Sequence, residues 1–409
     1  MRTRRLTAIL LVCLGVAAPS AAADWPVWRG PSYDGHAVDG TFVQGWLETG
    51  IEECWRRPIG AGYAGLAVAD GTVYTMDSAG RDEFVVALNA QNGQERWRAA
   101  AGAVDRSVYG GDGPRVMPTV GQDHLYTVSS DNVLMALERE TGRRVWQRGL
   151  VQEFGSRPPA EGYASSPLLH GDLLLVPLGA PGQKALAAFD RKTGETVWTS
   201  QNDARASYSS PVPWTFGGVG QALFLSASVL FSVDAVSGEL LWKYDWPTYD
   251  YVNVATPLVI PPDRVFISAG YDQGGALLRV RPGRPFKVEE IWRNRTMKNH
   301  FSSSVYHGGA LFGFDESILT AVDLASGKEL WRARGYGKGS LILADRHLIV
   351  MGEDGDLGLV AATSAKFQEV KKTSVFNGRS WTPPSLADGR LYLRNRSEAL
   401  CLEPSRETG

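Results

Sequence analysis

The 409 residues carry 42 Lys and Arg against 44 Asp and Glu, a formal charge of −2, and 44% of the side chains are hydrophobic. That balance offers no basic surface for nucleic acid or for anionic lipid. The length would allow two or three domains, and the apolar content a large core.

At the N-terminus, Arg2, Arg4 and Arg5 precede an apolar run from Leu6 to Ala18 and then Ala21-Ala22-Ala23. This order of zones predicts a secretory signal peptide over residues 1–23, a mature chain starting at Asp24, and a periplasmic or secreted protein. Cleavage removes three arginines and no acidic residue, so the formal charge falls to −5. Cys13 lies inside the apolar run, behind Val12 rather than a small residue, so no lipid anchor is expected. No later run is long enough to span a bilayer. Residues 24–50 read as an extended segment, and 51–409 as one repeat domain.

Within that domain a tail recurs: an apolar run, an acidic or amide residue, a glycine four positions on and a tryptophan eight positions on. It reads Asn89-Gly93-Trp97, Glu138-Gly142-Trp146, Asp190-Gly194-Trp198, Asp234-Gly238-Trp242 and Asp323-Gly327-Trp331, with weaker copies ending at Trp292 and near Val370. Each copy predicts a strand, a tight turn whose glycine takes positive φ, and a returning strand with an aromatic anchor. Every unit opens on small residues and often proline, as in Met117-Pro118-Thr119, Ser165-Ser166-Pro167, Ser209-Ser210-Pro211 and Ala255-Thr256-Pro257. Four strands in each repeat of about 40–50 residues predict a β-propeller.

Seven tails are complete or degraded, and an eighth is divided between the chain ends. The C-terminus supplies three strands ending at Ala399-Leu400-Cys401-Leu402, and Glu53-Cys54-Trp55 supplies the missing one. The prediction is an all-β, eight-bladed β-propeller of four-stranded antiparallel blades, closed by strands from both ends so that no open edge remains. Cys401 stands in the small column held elsewhere by Ala87, Ala136, Ala188, Ser232 and Ala321; Cys54 stands just before the tryptophan. In the simplest register those columns face each other, which predicts a Cys54–Cys401 disulfide in an oxidising compartment.

The tail resembles the pyrroloquinoline-quinone (PQQ)-like propeller repeat over roughly Ile51 to Pro404. The stretches Trp25-Pro26-Val27-Trp28-Arg29-Gly30-Pro31 and Trp381-Thr382-Pro383-Pro384 resemble a secreted bacterial branch of that family. Similar repeats occur in quinoprotein dehydrogenases and in the non-enzymatic assembly protein BamB. The resemblance implies that Trp55, Trp97, Trp146, Trp198, Trp242, Trp292 and Trp331 dock between blades. The adjacent cysteines and Cys-x-x-Cys-His haem site of quinoprotein dehydrogenases are missing here.

Loops entering the inner strands of a propeller ring the channel mouth, and here they carry Asp112, Arg115, Tyr163, Arg205, Tyr208, Tyr249, Asp250, Asn253, Lys298, Asn299, His300, Lys338, Arg379 and Trp381. Arg115, Lys298, Lys338 and Arg379 would bind an anion, and Trp381, Tyr163 or Tyr208 would stack on a flat ligand. The bland alternative is a wet rim whose charges pair locally, for example Asp112 with Arg115. Calcium beside PQQ would draw on Asp112, Asp250 and Asn253, although no spacing marks them as ligands. No nucleophile elbow, zinc helix or phosphate loop is present. The expected function is a non-catalytic scaffold, monomeric, binding a protein or a small polar or anionic ligand. The alternative is a PQQ- and calcium-dependent dehydrogenase acting on an alcohol or sugar.

Overall fold

The computed structural model describes residues 23–406 except 105 and 107–109. The expected leader, Cys13 included, lies outside the described residues apart from Ala23. Eight four-stranded antiparallel sheets follow one another along the chain. Blade 1 is built from Ala67–Ala69, Thr72–Ala79, Asp82–Asn89 and Glu95–Ala103. Blades 2 to 7 occupy 119–149, 168–199, 212–245, 258–294, 305–333 and 340–374. Blade 8 takes Ser385–Ala387, Arg390–Arg394 and Glu398–Pro404 and is completed by the N-terminal strand Ile51–Pro58, so the ring closes as the sequence predicts.

Each third strand reads as a continuous apolar run because both of its faces are covered by neighbouring blades. Val85 to Leu88 and Leu134 to Leu137 are completely buried. The tail motif explains how blades dock. Trp55, Trp97, Trp146, Trp198 and Trp292 lie against the turn glycines of the following blades: Gly93, Gly142, Gly194, Gly238 and Gly327, respectively. A Cβ at Gly142 would sit 2.5 Å from the Trp97 ring, and φ there is +70°. Glycine therefore serves both the turn and the close approach. Most indole N–H groups then reach a backbone carbonyl of the next blade, as Trp97 does to Arg139 at 2.8 Å and Trp331 to Thr363 at 2.7 Å. Trp242 is an exception: the turn glycine of blade 5, Gly283, does not lie against it, and this indole donates to Gln221 of its own blade at 3.0 Å. In blade 7 the tryptophan column holds Lys371, opposite Leu359, with Val370 one position before it.

The small column is opposite the tryptophan itself, because a bulge precedes the tryptophan position. Ala87 pairs with Trp97, Ala136 with Trp146, and Ser232 with Trp242, each followed by a register shift. This corrects the expected disulfide. Cys401 pairs with Trp55, and Cys54 is the additional residue of the bulge. Both cysteines are free thiols. A hydrogen bond with Cys54 and burial raise the Cys401 pKa, holding it as a thiol. Arg394 helps to close the seam instead. Fully buried, its guanidinium donates to the carbonyls of Gly60, Gly62, Ala64 and Met76 and to Thr75 Oγ1, tying blade 8 to blade 1.

The small hydroxyl residues before the inner strands form a second belt around the axis. Thr119 Oγ1 donates to the Pro167 carbonyl at 2.6 Å and Ser165 Oγ to Ser209 at 2.6 Å. Ser303 Oγ accepts the Thr256 N–H at 2.9 Å, and Thr382 Oγ1 donates to Tyr63 at 3.0 Å. Each bond joins one blade to the next where no room exists for larger side chains.

The expected extended segment over 24–50 is only partly extended. Thr41–Glu48 is a helix that buries Phe42, Val43 and Trp46 on one face. Gly45 faces Pro404 so closely that a Cβ would lie 2.4 Å from that ring. Before the helix, the chain crosses the centre of the ring. Trp25 pairs with Val68 of blade 1, and the Pro26 carbonyl accepts the Val120 N–H of blade 2 at 2.9 Å. Trp28 Nε1 donates to Thr256 Oγ1 of blade 5 at 2.8 Å, and Ala37 and Gly35 bracket Leu343 of blade 7 through backbone bonds of 2.8 Å. The segment plugs the channel and makes the space above it a blind funnel.

Candidate functional site

Loops entering blades 1 to 6 and blade 8 converge on a cavity of about 760 Å³. Trp28 of the plug lines it and also lines a nearly closed void shared with Trp25 and Arg29. The walls hold Tyr63, Arg115, Glu161, Arg205, Tyr208, Asp250, Tyr251, Tyr271, His300, Phe301 and Trp381. The volume falls within the roughly 300–1,000 Å³ of small-molecule pockets.

Four of the site residues expected from sequence meet in this cavity: Arg115, Tyr208, His300 and Trp381. Arg205 and Asp250, also noted at the rim, join them. The remainder stand elsewhere. Tyr163 is buried and donates to the Pro177 carbonyl at 3.0 Å. Asn253 is buried with its amide on the carbonyls of Ser226 and Ala227 at 2.8 and 3.2 Å. Asn299 is buried between Ser304 Oγ and the Phe314 N–H. These three brace the loops, since a buried polar side chain must find partners. Lys298 faces Asp315 at 3.1 Å and Asp272 at 3.8 Å. Arg379 is exposed, its guanidinium 4.3 Å from the Trp381 ring centre. Asp112 is half-buried and does not line the cavity. The carboxylate facing Arg115 is Glu161, 3.8 Å away, and Arg115 also donates to the Gly111 and Gly113 carbonyls at 3.1 Å.

Lys338 Nζ lies 2.6 Å from His300 Nδ1 and 3.7 Å from Glu316. An ammonium can only donate, so in this contact Nδ1 accepts, and the Glu316 carboxylate stands 3.3 Å from the same nitrogen. Burial, then the Lys338 charge, lowers the His300 pKa, which keeps the imidazole neutral near pH 7. Glu316 also accepts the Tyr271 N–H at 2.9 Å and thereby fixes the blade 5 loop against blade 6. Burial raises the Tyr208 and Tyr271 pKa values, so both remain phenols able to donate and accept.

Tyr63, Glu161, Tyr251, Tyr271, Phe301 and Trp28 are cavity residues that the sequence reading missed. Tyr63 follows from the blade 1 entry loop, Gly60-Ala61-Gly62-Tyr63, in the way Trp381 follows from the last. Tyr271 and Glu316 sit in turns between second and third strands, which open on the same face as the entry loops and carry an equal signal. Nothing in the repeat marks Trp28, because the plug belongs to no blade.

The family model of the outer membrane protein assembly factor BamB matches residues 46–180 and 81–333, more than half of the chain. The chain belongs to this PQQ-like propeller-repeat family. The two matches overlap because a repeat can be aligned in more than one register. BamB of Burkholderia pseudomallei is 24% identical over 296 residues, covering 69% of each chain. The serine/threonine-protein kinase AfsK of Streptomyces griseus is 31% identical over 197 residues, and the match spans 46% of this chain but only 23% of the kinase. A europium-containing methanol dehydrogenase superposes with a TM-score of 0.69 at 11% identity, covering 93% of this chain and 98% of that one. At that identity the likeness is one of fold alone.

Proposed function

We propose that this member of the family is a non-catalytic binding scaffold acting outside the cytoplasm, monomeric, with the plugged funnel as its site for a small polar ligand. The observation that carries this reading is the 760 Å³ cavity, where rings and charged groups from seven blades meet above Trp28. The charged, apolar and small-residue zones of the leader support export. Among the described residues no helix is long and apolar enough to cross a membrane.

The fold family raises PQQ and calcium as cofactors. A flat quinone suits the rings of Trp381 and Tyr63, but its carboxylates would outnumber the single positive charge by which Arg115, Arg157 and Arg205 exceed Glu161 and Asp250. Calcium fits poorly, because among the described residues no three His, Cys, Asp or Glu side chains gather to hold an ion, and the Asn253 amide already serves two carbonyls. No oxidation step is therefore derived from this site.

A thermal-shift screen of the exported protein with flat acids, PQQ and saccharides tests the reading. At least one compound should raise Tm, with the shift lost in Tyr251→Ala and Arg205→Glu, both at exposed positions. A screen in which nothing binds overturns the funnel as a ligand site and moves the working surface to the blade edges. Calcium-dependent PQQ binding accompanied by dye reduction with an alcohol overturns the non-catalytic reading.

A further inference from the structure

The funnel wall carries a continuous arc of rings. Tyr63 stacks on Trp381 with centroids 5.2 Å apart, Trp381 meets Phe301 at 4.4 Å, and Phe301 lies on His300 at 4.1 Å. His300 meets Tyr271 at 4.6 Å, and Tyr271 meets Tyr249 at 6.1 Å. The arc starts inside the cavity and ends in water. Tyr249 and Tyr271 are 67% and 46% exposed, and nearby Tyr251 is 54% exposed. Large rings left in water along one wall of a cleft mark a surface that meets a partner.

The backbone carrying the arc is held in uncommon conformations. Asp250, Tyr251, Tyr271 and Glu316 have φ of 49°, 62°, 52° and 55°. Positive φ is also found in tight turns elsewhere, as at Asp70, Gln183 and Asp345, so here it reports tight turns. Here the geometry turns Tyr251 and Tyr271 toward the cavity that both line.

Charge selects among ligands. Arg115 faces Glu161, Lys338 faces Glu316 and Lys298 faces Asp315. The cavity wall itself mixes Arg115, Arg157 and Arg205 with Glu161 and Asp250. The three arginines exceed the two carboxylates by one charge, too few to match a polyanion, and a purely apolar molecule would leave these groups desolvated. A pyranose chain needs what is present: flat faces for its C–H groups, and both donors and acceptors for the hydroxyls at its edges.

We propose that the exposed rings at the end of the arc bind a linear, neutral saccharide, one end seated in the cavity against Tyr251 and the chain leaving past Tyr271 and Tyr249. Equatorially linked sugars suit it best, because both faces of every ring stay flat. The proposal rests on the funnel being the ligand site and names its ligand class.

Isothermal titration of the exported protein with cellotetraose, chitotetraose and tetragalacturonate provides the test. At least one neutral tetramer should bind saturably, the acidic one at least tenfold more weakly. Tyr251→Ala and Tyr271→Ala should each weaken the neutral tetramer at least tenfold with Tm unchanged. Failure of both neutral tetramers to bind overturns the proposal, and so does binding indifferent to both substitutions. If PQQ or another flat acid then binds in the funnel, the saccharide falls while the ligand site stands; if no small molecule shifts Tm, both fall together.

Discussion

The two ends of each blade follow different rules. At the tail end, tryptophan lies on the next blade's glycine at Trp55, Trp97, Trp146, Trp198 and Trp292. At the funnel end the equivalent loops carry Tyr63, Arg115, Glu161, Tyr208, Phe301 and Trp381, with no one residue type shared by all. The tail must fit an identical neighbour, so its chemistry is fixed by packing. The funnel loops face water and the cavity, so only their backbone anchors, such as Ser165 and Asn253, are constrained. Stability should therefore reside at the tail end and binding at the funnel end.

The sharpest break of that division is at the seam. Arg394→Leu leaves four carbonyls and a hydroxyl without their donor in a buried site and should cost on the order of 4 kcal/mol or more. Trp55→Ala should cost about 3–5 kcal/mol through the cavity it opens. Urea unfolding of both variants measures these losses. Stability close to that of the parent would show that the ring closes without them.

A pair of glycines separates turn conformation from docking. Gly142 and Gly171 both have positive φ, but a Cβ at Gly171 meets nothing within 4 Å. Gly171→Ala should cost about 1 kcal/mol for backbone strain alone. Gly142→Ala should cost about 3 kcal/mol, because strain is joined by collision with Trp97. Equal losses would remove the tryptophan contact as the reason for glycine in the tail.

Glu83 is where the funnel side takes on a docking role. Fully buried, it accepts from Ser130 N–H and Oγ of blade 2, and burial pushes its pKa up to about 7 from an ordinary value of 4.5. The folded state then holds a proton that the unfolded chain releases, so this contribution is complete below pH 4.5 and is lost as pH rises toward 7. The loss is on the order of 3 kcal/mol. Chemical denaturation across pH 4–8 should show the decline, and Glu83→Gln should flatten it. A decline that persists in the variant would assign it to another group.

The smallest stability effects belong to the cavity wall. Tyr251→Ala and Arg205→Glu should each shift stability by less than about 0.5 kcal/mol, because both positions are exposed. Their binding losses should nevertheless be complete or nearly so. Loss of stability with retained binding would invert the comparison between the tail end and the funnel end.

Spacing alone determined the blade number, the strand order and the closure by both chain ends, because glycine turns and buried third strands repeat at fixed intervals. It also located the mouth and four of the residues that meet there: Arg115, Tyr208, His300 and Trp381. It did not determine pairing at single-residue resolution: the bulge before each tryptophan moved Cys54 out of line with Cys401, and local pattern carries no sign of one extra residue. Nor could it separate Tyr163, Asn253 and Asn299 from the cavity wall, since polar residues that brace a loop and those that face a ligand look alike in sequence. The plug was decided by tertiary structure alone. Trp28 reaches the funnel only because residues 25–37 cross a channel built by all the other blades, and contacts across more than 200 positions leave no periodic trace in the chain.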